Sequence, residues 1–314
     1  MRMGHGVKDE TNETKIWFVT TGYLVRLLAY YPDMFQSHTH LIIDEVHERS
    51  VDGDVLCFLA RRLLTRNPTI KLILMSATMH IELYQSYFSG GPEYYGDLDC
   101  LSVGVRRFPL QIFCTDQMAK DRCLPQVLSG LYDKITEGTS KVTNIREVPN
   151  ATVIKFQYKL AYNIIREAVQ PGTGVLVFVS GINDIMEISE FFQGQEKYIV
   201  IPIHSEIPFE DQELAFLPVK AHEIKVVIAT NAAESSITLP DVDVVICLGT
   251  HKVVQYDYMT NRVQLQNQYI SKASASQRAG RTGRTRPGRV YRLYSSSLHQ
   301  AMHEHDPAEV ERYV

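Results

Sequence analysis

Short apolar runs that alternate with helical segments constrain the fold of this chain more than any other feature. Seven runs have the length and the Val and Ile content of strands: residues 15–20, 40–45, 71–78, 174–181, 198–205, 225–230 and 243–250. Helical patterns fall between them, at residues 21–31, 54–64, 154–169 and 182–192. Continuous apolar strands are typical of parallel sheets that are covered on both faces. The alternation therefore predicts an α/β fold with right-handed crossovers.

The composition narrows the class of protein. The chain has 314 residues, of which 45% are hydrophobic and 22% charged, as in an ordinary soluble globular protein of about two domains. It contains no apolar run near the ~18 residues that a membrane span requires. The five cysteines are scattered without a CxxC pair, which favours a reducing compartment, the cytoplasm or the nucleus. The net charge of −4 argues against a generally basic coat for nucleic acid.

Two adjacent carboxylates, Asp44 and Glu45, follow the apolar run that begins at His40. Ligands of α/β proteins bind outside the carboxyl ends of parallel strands. An aspartate there can hold a Mg²⁺ bound to nucleotide phosphates, and the glutamate can orient or deprotonate a water. Alternatively, Asp44 only caps the helix that begins near Ser50. His47 has two alternatives of its own, a surface position or a zinc site, but the zinc signature HExxH is absent.

A basic segment lies near the end of the chain. Between Lys272 and Arg292 there is no acidic residue, and seven residues are Lys or Arg. A solvated basic loop is one interpretation, but the Gly, Ser and Thr residues between the charges suit close approach to phosphates. If the segment is helical, Gln277, Arg281 and Arg284 share one face.

Four motifs occur in the order and spacing of a superfamily 2 helicase. They read DEVHERS at 44–50, LMSAT at 74–78, IATNAAESSITLPDV at 228–242 and QRAGRTGRTRPG at 277–288. The chain resembles the DEAH-box/RNA helicase A group in its DEVH variant. The resemblance implies two RecA-like parallel-sheet domains in tandem, the first N-terminally truncated. We expect a partial first domain at 1–112, a linker or insertion at 113–152, the second domain at 153–296 and the start of a winged-helix region at 297–314.

The resemblance also implies ATP and Mg²⁺ as cofactors and assigns residues to them. Asp44 would hold Mg²⁺ through water, Glu45 would be the general base, and His47 would link the γ-phosphate state to the second domain. Ser76 and Thr78 would couple that state to domain movement. By the same resemblance, Gln277, Arg281 and Arg284 would face the γ-phosphate. Phe216 would lie against the adenine ring, and Asp241 would lie near the ribose.

RNA is the implied partner, held by backbone contacts in both domains: Thr20, Thr21 and Gly22 in the first, and Ser180, Gly181, Thr230 and Asn231 in the second. A plain helix N-cap is an alternative for Thr20 to Gly22. Two alternating runs around Thr260 and Asn261 predict a β-hairpin within 252–271. In the family, a hairpin here projects at the duplex junction, where Tyr256 and Tyr258 could stack on bases, although an ordinary surface hairpin is an equal alternative.

One motif of the family is absent. The 314 residues contain no GxxxxGK[ST], whose amides and lysine hold the β- and γ-phosphates. We expect that motif to precede residue 1, so that this chain is a fragment with exposed apolar edges and poor solubility.

Two functions follow: an ATP-dependent RNA helicase core that moves 3′ to 5′, or a non-catalytic RNA-binding scaffold that has lost nucleotide binding. DNA stays an alternative substrate because backbone contacts do not read the sugar reliably. Protein activators are a further expected class of partner, and a membrane is not.

Overall fold

The computed structural model describes residues 11, 13–77, 80–89, 99–102, 104, 108–121, 124–234, 237–257 and 259–312. The chain divides into two compact units, the first formed by Met1–Val103 with Pro307–Val314 and the second by Gly104–Asp306. Each unit has buried hydrophobic clusters of its own.

The first unit alternates helices with two short strands. Its elements are α1 Thr21–Tyr30, β1 His40–Ile43, α2 Val51–Arg66, β2 Lys71–Leu74 and α3 Ile81–Ser89, with 3-10 helices at Pro32–Ser37, Val46–Glu48 and Glu309–Arg312. Ser50 caps α2, because its Oγ accepts a hydrogen bond from the Gly53 amide at 3.1 Å.

Within the described part of the first unit, β1 and β2 pair in parallel and bury only one face. Leu41 and Ile43 of β1 lie in a core with residues of α1, α2 and α3. On the other face, Ile42 is 54% exposed and Ile73 of β2 is 41% exposed. Parallel sheets are normally covered on both sides, so this open face is unusual.

The strand predicted at residues 15–20 is wrong. Among the described residues this segment has only an isolated bridge position, at Val19, and Ile16 and Phe18 are 72% and 74% exposed. A strand is stabilised by pairing along its length and by a covered face, and the described neighbours supply these only at Val19.

The second unit is built on a six-stranded parallel sheet, whose order is β3-β10-β7-β4-β6-β5. Its strands are β3 Leu110–Cys114, β4 Thr173–Phe178, β5 Tyr198–Ile203, β6 Ile224–Ala229, β7 Val242–Cys247 and β10 Gly288–Arg292. Its helices are α4 Ser129–Ser140, α5 Ala151–Ala168, α6 Ile182–Glu190, α7 Phe209–Gln212, α8 Lys272–Ala279 and α9 Ser296–Ala301. The α/β fold class is confirmed.

Helices cover both faces of this sheet. Val175 and Val177 of β4 lie in a cluster with α5 and α6, whereas Leu176 and Phe178 lie in a second cluster with α8 and α9. Alternate side chains of one strand therefore enter two different cores, which explains why the strand reads as a continuous apolar run.

The segment 113–152, expected to be a linker or insertion, carries the end of β3 and α4. Leu128, Tyr132 and Ile135 of this segment are buried in the same cluster as α5 and the sheet. The compact second unit thus extends across it, from Gly104 to Asp306. The functional domain limits given above stay predictions.

The predicted hairpin is confirmed. β8 Thr250–Asp257 and β9 Arg262–Tyr269 pair antiparallel, and Asn261 in the turn has a left-handed backbone with φ 54°. Val254 lies opposite Leu265, and both side chains are exposed, at 36% and 60%.

Candidate functional site: the acid loop and the two edges of the second sheet

Residues 44–49, here called the acid loop, follow β1. Hydrogen bonds with the backbone of Met75 hold the chain just before this loop and within it. The Met75 amide donates to the Ile43 carbonyl at 2.8 Å, and the Val46 amide donates to the Met75 carbonyl at 3.1 Å. Glu45 and Arg49 are both left-handed, with φ 54° and 49°. A left-handed L-residue costs about 1–2 kcal/mol, so the surroundings must hold this conformation.

Three predicted site residues lie in this loop, and a fourth, Ser76 after β2, contacts it. The Glu45 amide donates to Asp44 Oδ1 at 2.8 Å, and Glu45 Oε2 lies 3.4 Å from His47 Nδ1. Ser76 Oγ lies 3.1 Å from the same His47 nitrogen. The structure therefore joins a carboxylate, an imidazole and a hydroxyl in one chain of polar contacts, whereas Thr78 lies outside the described residues.

Exposure separates the members of this chain of contacts. Asp44 is exposed and the Glu45 side chain is 37% exposed, but the His47 side chain is only 10% exposed. His47 Nε2 is buried, and it has no hydrogen-bond partner among the described residues. The two carboxylates can thus reach a ligand from solvent, while the imidazole lies behind them.

Buried Tyr84 and partly buried Asp54 also hold the acid loop. The Tyr84 hydroxyl donates to the Val46 carbonyl at 2.6 Å. Burial, together with nearby Cys57, raises the pKa of Tyr84 to about 12, so the phenol stays a donor at physiological pH. Arg49 binds Asp54 through two bonds, at 2.8 and 3.1 Å, and the bond to Asp54 raises the pKa of Arg49.

The predicted RNA contacts of the first unit lie at the N-terminus of α1. Thr20 and Thr21 are exposed, and Thr20 makes no side-chain cap hydrogen bond. A β-carbon added at Gly22 would lie 2.9 Å from Asp52 Oδ2, so an acidic side chain already occupies this helix end. A helix N-terminus favours anions, but Asp52 would compete with a phosphate for it.

The predicted RNA contacts of the second unit lie at the carboxyl edge of its sheet. Ser180 and Gly181 follow β4, and Thr230 and Asn231 follow β6. Ser180 and Thr230 are 5% and 6% exposed, and Ser180 Oγ lies 2.6 Å from Thr250 Oγ1, whereas Asn231 is exposed. Of these four residues, Asn231 is therefore the one whose side chain is open to a ligand.

A lysine that sequence reasoning missed lies at this carboxyl edge. A β-carbon added at Gly181 would lie 2.8 Å from Lys252 Nζ, which places the ammonium group beside the glycine backbone. Its position at the base of the predicted hairpin, two residues after Thr250, was the available signal.

The predicted nucleotide contacts of the second unit lie toward the opposite, amino edge of the sheet. Asp241 directly precedes β7, and Phe216 ends the 3-10 helix Glu213–Phe216. The carbonyls of its two neighbours, Ala215 and Leu217, accept from buried Lys225 at the start of β6. Burial lowers the pKa of Lys225, and Asp241 is one of two carboxylates that oppose this shift. Phe216 is 37% exposed and so is not a core residue.

The arginines of the fourth motif also lie toward the amino edge, but not on a helix. α8 ends at Ala279, so Gln277 alone of the three residues is helical, and the condition for a shared helical face is not met. Arg281 Nη1 donates to the Ile237 carbonyl at 3.0 Å, and Arg284 is exposed. Gly280 begins a turn there, which releases the chain from α8 before Arg281.

Sequence reasoning also missed a buried ion pair beside these residues. Arg278 is 0% exposed, and its Nε donates to Glu234 Oε2 at 2.8 Å. Its Nη1 donates to the Thr250 carbonyl at 3.2 Å, and its guanidinium lies over the Phe178 ring at 5.0 Å. Burial would lower the pKa of Arg278, but the Glu234 charge raises it overall.

The spacing within α8 could have revealed Arg278. It lies three residues after Ala275 and next to Ala279, and both alanines are buried. A charged residue on a small-residue helix face that packs into a core predicts a buried pair.

No cluster of three or more metal-ligating side chains occurs within the part of the chain that the structure describes. In the same part, no helix is both long and apolar enough to cross a membrane.

Comparisons with known proteins agree with the motifs. Residues 157–286 match the helicase conserved C-terminal domain. The chain is 30% identical to the DExH-box ATP-dependent RNA helicase DExH1 of Arabidopsis thaliana, over 99% of this chain and 34% of that protein. It is 32% identical to the mouse probable ATP-dependent RNA helicase DHX34, over 99% of this chain and 25% of that protein.

A solved structure shows the same fold. The crystal structure of the E. coli DExH-box NTPase HrpB superposes with a TM-score of 0.73 at 25% identity, over 98% of this chain and 33% of that one. The chain belongs to the DEAH-box helicases of superfamily 2. The RecA-like fold class predicted for this DEAH-box protein is confirmed. The chain spans about a quarter to a third of the length of these relatives.

Proposed function

We propose that this DEAH-box chain is the core of an ATP-dependent RNA helicase, which couples ATP hydrolysis to 3′-to-5′ movement on RNA and to unwinding. The acid loop carries the proposal. It places the exposed Asp44, the half-exposed Glu45 and the His47–Ser76 contact side by side at a strand end, where α/β proteins bind ligands.

The carboxylates would divide the chemistry between them. Glu45 would take the proton of the attacking water, a role that needs an accessible carboxylate. Asp44 would hold Mg²⁺, and its exposed carboxylate fits this ion, which prefers one or two carboxylates and keeps several waters. Bound Mg²⁺ supplies positive charge to the phosphate oxygens.

The amino edge of the second sheet would supply the nucleotide contacts of that unit. Arg281 and Arg284 would stabilise charge on the transferring phosphoryl group, with Gln277 nearby in sequence. Phe216 offers a partly exposed ring for adenine, and Asp241 offers a carboxylate for the ribose. The exposure of Arg284 supports its part in this assignment.

RNA would bind by its backbone. The ammonium of Lys252 beside Gly181 and the exposed Asn231 support a phosphate contact at the carboxyl edge of the second sheet. The hairpin β8–β9 would lie at a duplex junction, with Tyr256 as a stacking surface. Tyr258 lies outside the described residues.

A second candidate function, a non-catalytic RNA-binding scaffold, is favoured by one observation. The 314 residues hold no GxxxxGK[ST] and no Gly-Lys pair at all, although that motif's lysine and amides are strong phosphate ligands.

RNA-stimulated ATP hydrolysis by the full-length protein distinguishes the two functions. In the helicase, Glu45→Gln should keep ATP binding and lower kcat by about 10²-fold or more, because the general base is lost. Glu48→Gln, an exposed neighbour on the same loop, is the matched control and should retain activity. RNA binding without any ATP turnover in the unmodified protein would favour the scaffold.

Arg284→Ala tests the second unit in the same assay. The loss should fall mainly on kcat, by about 10³-fold, while the affinity for ATP changes little. An equal loss of affinity and turnover would instead assign Arg284 to ground-state binding.

A further inference from the structure

Glu309 holds the acid loop from a point far along the chain. We infer that Glu309 is a positioning residue for Glu45 and His47, an inference that rests on the proposed ATPase function. Glu309 lies 258 residues from Val51, yet the Val51 amide donates to Glu309 Oε2 at 2.9 Å. The Glu309 amide in turn donates to the Arg49 carbonyl at 3.0 Å.

The two bonds fix the joint between the acid loop and α2. Val51 is the first residue of α2, where amides lack a partner within the helix. Ser50 satisfies the Gly53 amide and Glu309 satisfies the Val51 amide, so two side chains share the cap. The negative charge of Glu309 also lies at the positive end of the α2 dipole.

A short turn transmits this hold to the catalytic side chains. The Glu48 amide donates to the Glu45 carbonyl at 3.1 Å, and the Arg49 amide donates to the Val46 carbonyl at 3.4 Å. Glu45 and Arg49, at the two ends of this turn, are both left-handed. This backbone conformation is unfavourable by itself and persists only where surrounding contacts hold it. Glu309 is therefore one of the supports, beside Met75 and Tyr84, that hold the loop carrying Glu45 and His47.

The segment that carries Glu309 is itself ordered. Ala308 is 2% exposed, and its carbonyl accepts from the Glu311 amide at 3.0 Å within the 3-10 helix Glu309–Arg312. Pro307–Val314 belongs to the first unit although the chain has reached it from the second. Displacement of this segment would therefore remove the hydrogen bonds that Glu309 makes to Val51 and Arg49.

Hydrogen exchange of the full-length protein tests the contact without reference to activity. Glu309→Ala should speed exchange of the Val51 amide about tenfold, the loss expected for one charge-assisted hydrogen bond, and should also speed exchange at Val46 and Glu48. Glu309→Gln keeps an acceptor oxygen and should restore most of the protection. Val310→Ala, at an exposed position on the same 3-10 helix, is the control and should leave these amides unchanged.

Kinetics then separate positioning from general stability. Glu309→Ala should lower kcat for ATP about tenfold with KM changed less than about twofold, and Glu309→Gln should rescue it. Unchanged exchange at Val46 and Glu48 in Glu309→Ala would overturn the positioning role, as would equal effects of Val310→Ala. If the unmodified protein hydrolyses no ATP, the proposed function fails, and the exchange data still decide whether Glu309 holds the loop.

Discussion

Among single residues, Arg278 combines the deepest burial with a full charge. Its side chain is 0% exposed, its partner Glu234 is 12% exposed, and Arg278 Nη2 has no partner among the described residues. A buried ion pair gains little over a well-packed apolar pair, but breaking it leaves one charge uncompensated. The pair joins α8 to the segment after β6, and removing one partner should therefore cost more stability than removing both.

Arg278→Met should lower the free energy of unfolding by ~3–5 kcal/mol, because Glu234 would keep its charge without a partner. Denaturant unfolding followed by far-UV circular dichroism measures the change. Adding Glu234→Leu should recover much of the loss, since no buried charge would remain. Arg262→Met on the exposed β9 is the control and should stay within about 0.5 kcal/mol. A double variant as unstable as Arg278→Met alone would show that the guanidinium matters through its packing.

His299 in α9 makes the stability of the second unit depend on pH. Burial, with nearby Arg292 and Lys272, lowers the pKa of His299 to about 4 from an ordinary 6.5. The unfolded chain therefore takes up a proton that the folded chain refuses as the pH falls through 6.5. The free energy of unfolding is therefore unaffected by His299 above about pH 6.5, and it falls progressively as the pH is lowered from there toward pH 4.

Denaturant unfolding at pH 7.5 and pH 5 should show this loss in the unmodified protein and a smaller loss in His299→Gln. The exposed His303→Gln is the matched control and should keep the full pH dependence. Identical pH dependence in all three proteins would mean that the carboxylates alone account for acid destabilisation.

At the scale of elements, strands with a continuous apolar sequence were predictable and the others were not. The side chains of β4, β5, β6 and β7 enter two cores at once, and Val, Ile and Leu dominate their sequences, although Pro202, Lys225 and Asp243 interrupt three of them. The sequences of β3 and β10 are LQIFC and GRVYR, and their polar residues obscure the apolar pattern of a buried strand. They are strands because β3 pairs with β10 and β10 pairs with β7, which is a tertiary cause.

The acid loop was predictable in its residue types and not in its geometry. Asp44, Glu45, His47 and Ser76 could be chosen because polar side chains follow neighbouring strands. The left-handed Glu45 and the supports from Tyr84 and Glu309 depend on contacts between distant parts of the chain. Local propensity holds no information about such contacts.

The β1–β2 pair has an open face, which follows from the burial pattern of β1. The burial of β1 alternates between exposed His40 and Ile42 and buried Leu41 and Ile43, the pattern of a sheet covered on one side. An uncovered apolar sheet face is a known route to association, so poor solubility stays the expectation for the isolated chain.

At the scale of the whole molecule, the two units differ in how much core they have. Among the described residues, the second unit buries two clusters, one on each face of a six-stranded sheet, whereas the first buries one cluster against two strands. Because stability comes mainly from buried apolar area, we expect the first unit to unfold before the second.

The chain offers a natural probe for this order of unfolding. Its single tryptophan, Trp17, lies in the first unit, where its ring is 4.8 Å from that of His38. Tryptophan fluorescence should therefore change at a lower denaturant concentration than far-UV circular dichroism, which the larger second unit dominates. Moving the probe with Trp17→Phe and Phe113→Trp, at a position stacked on Tyr291, should bring the fluorescence midpoint up to the circular dichroism midpoint. Coincident transitions for both probe positions would contradict separate unfolding, because each probe would then report one cooperative structure.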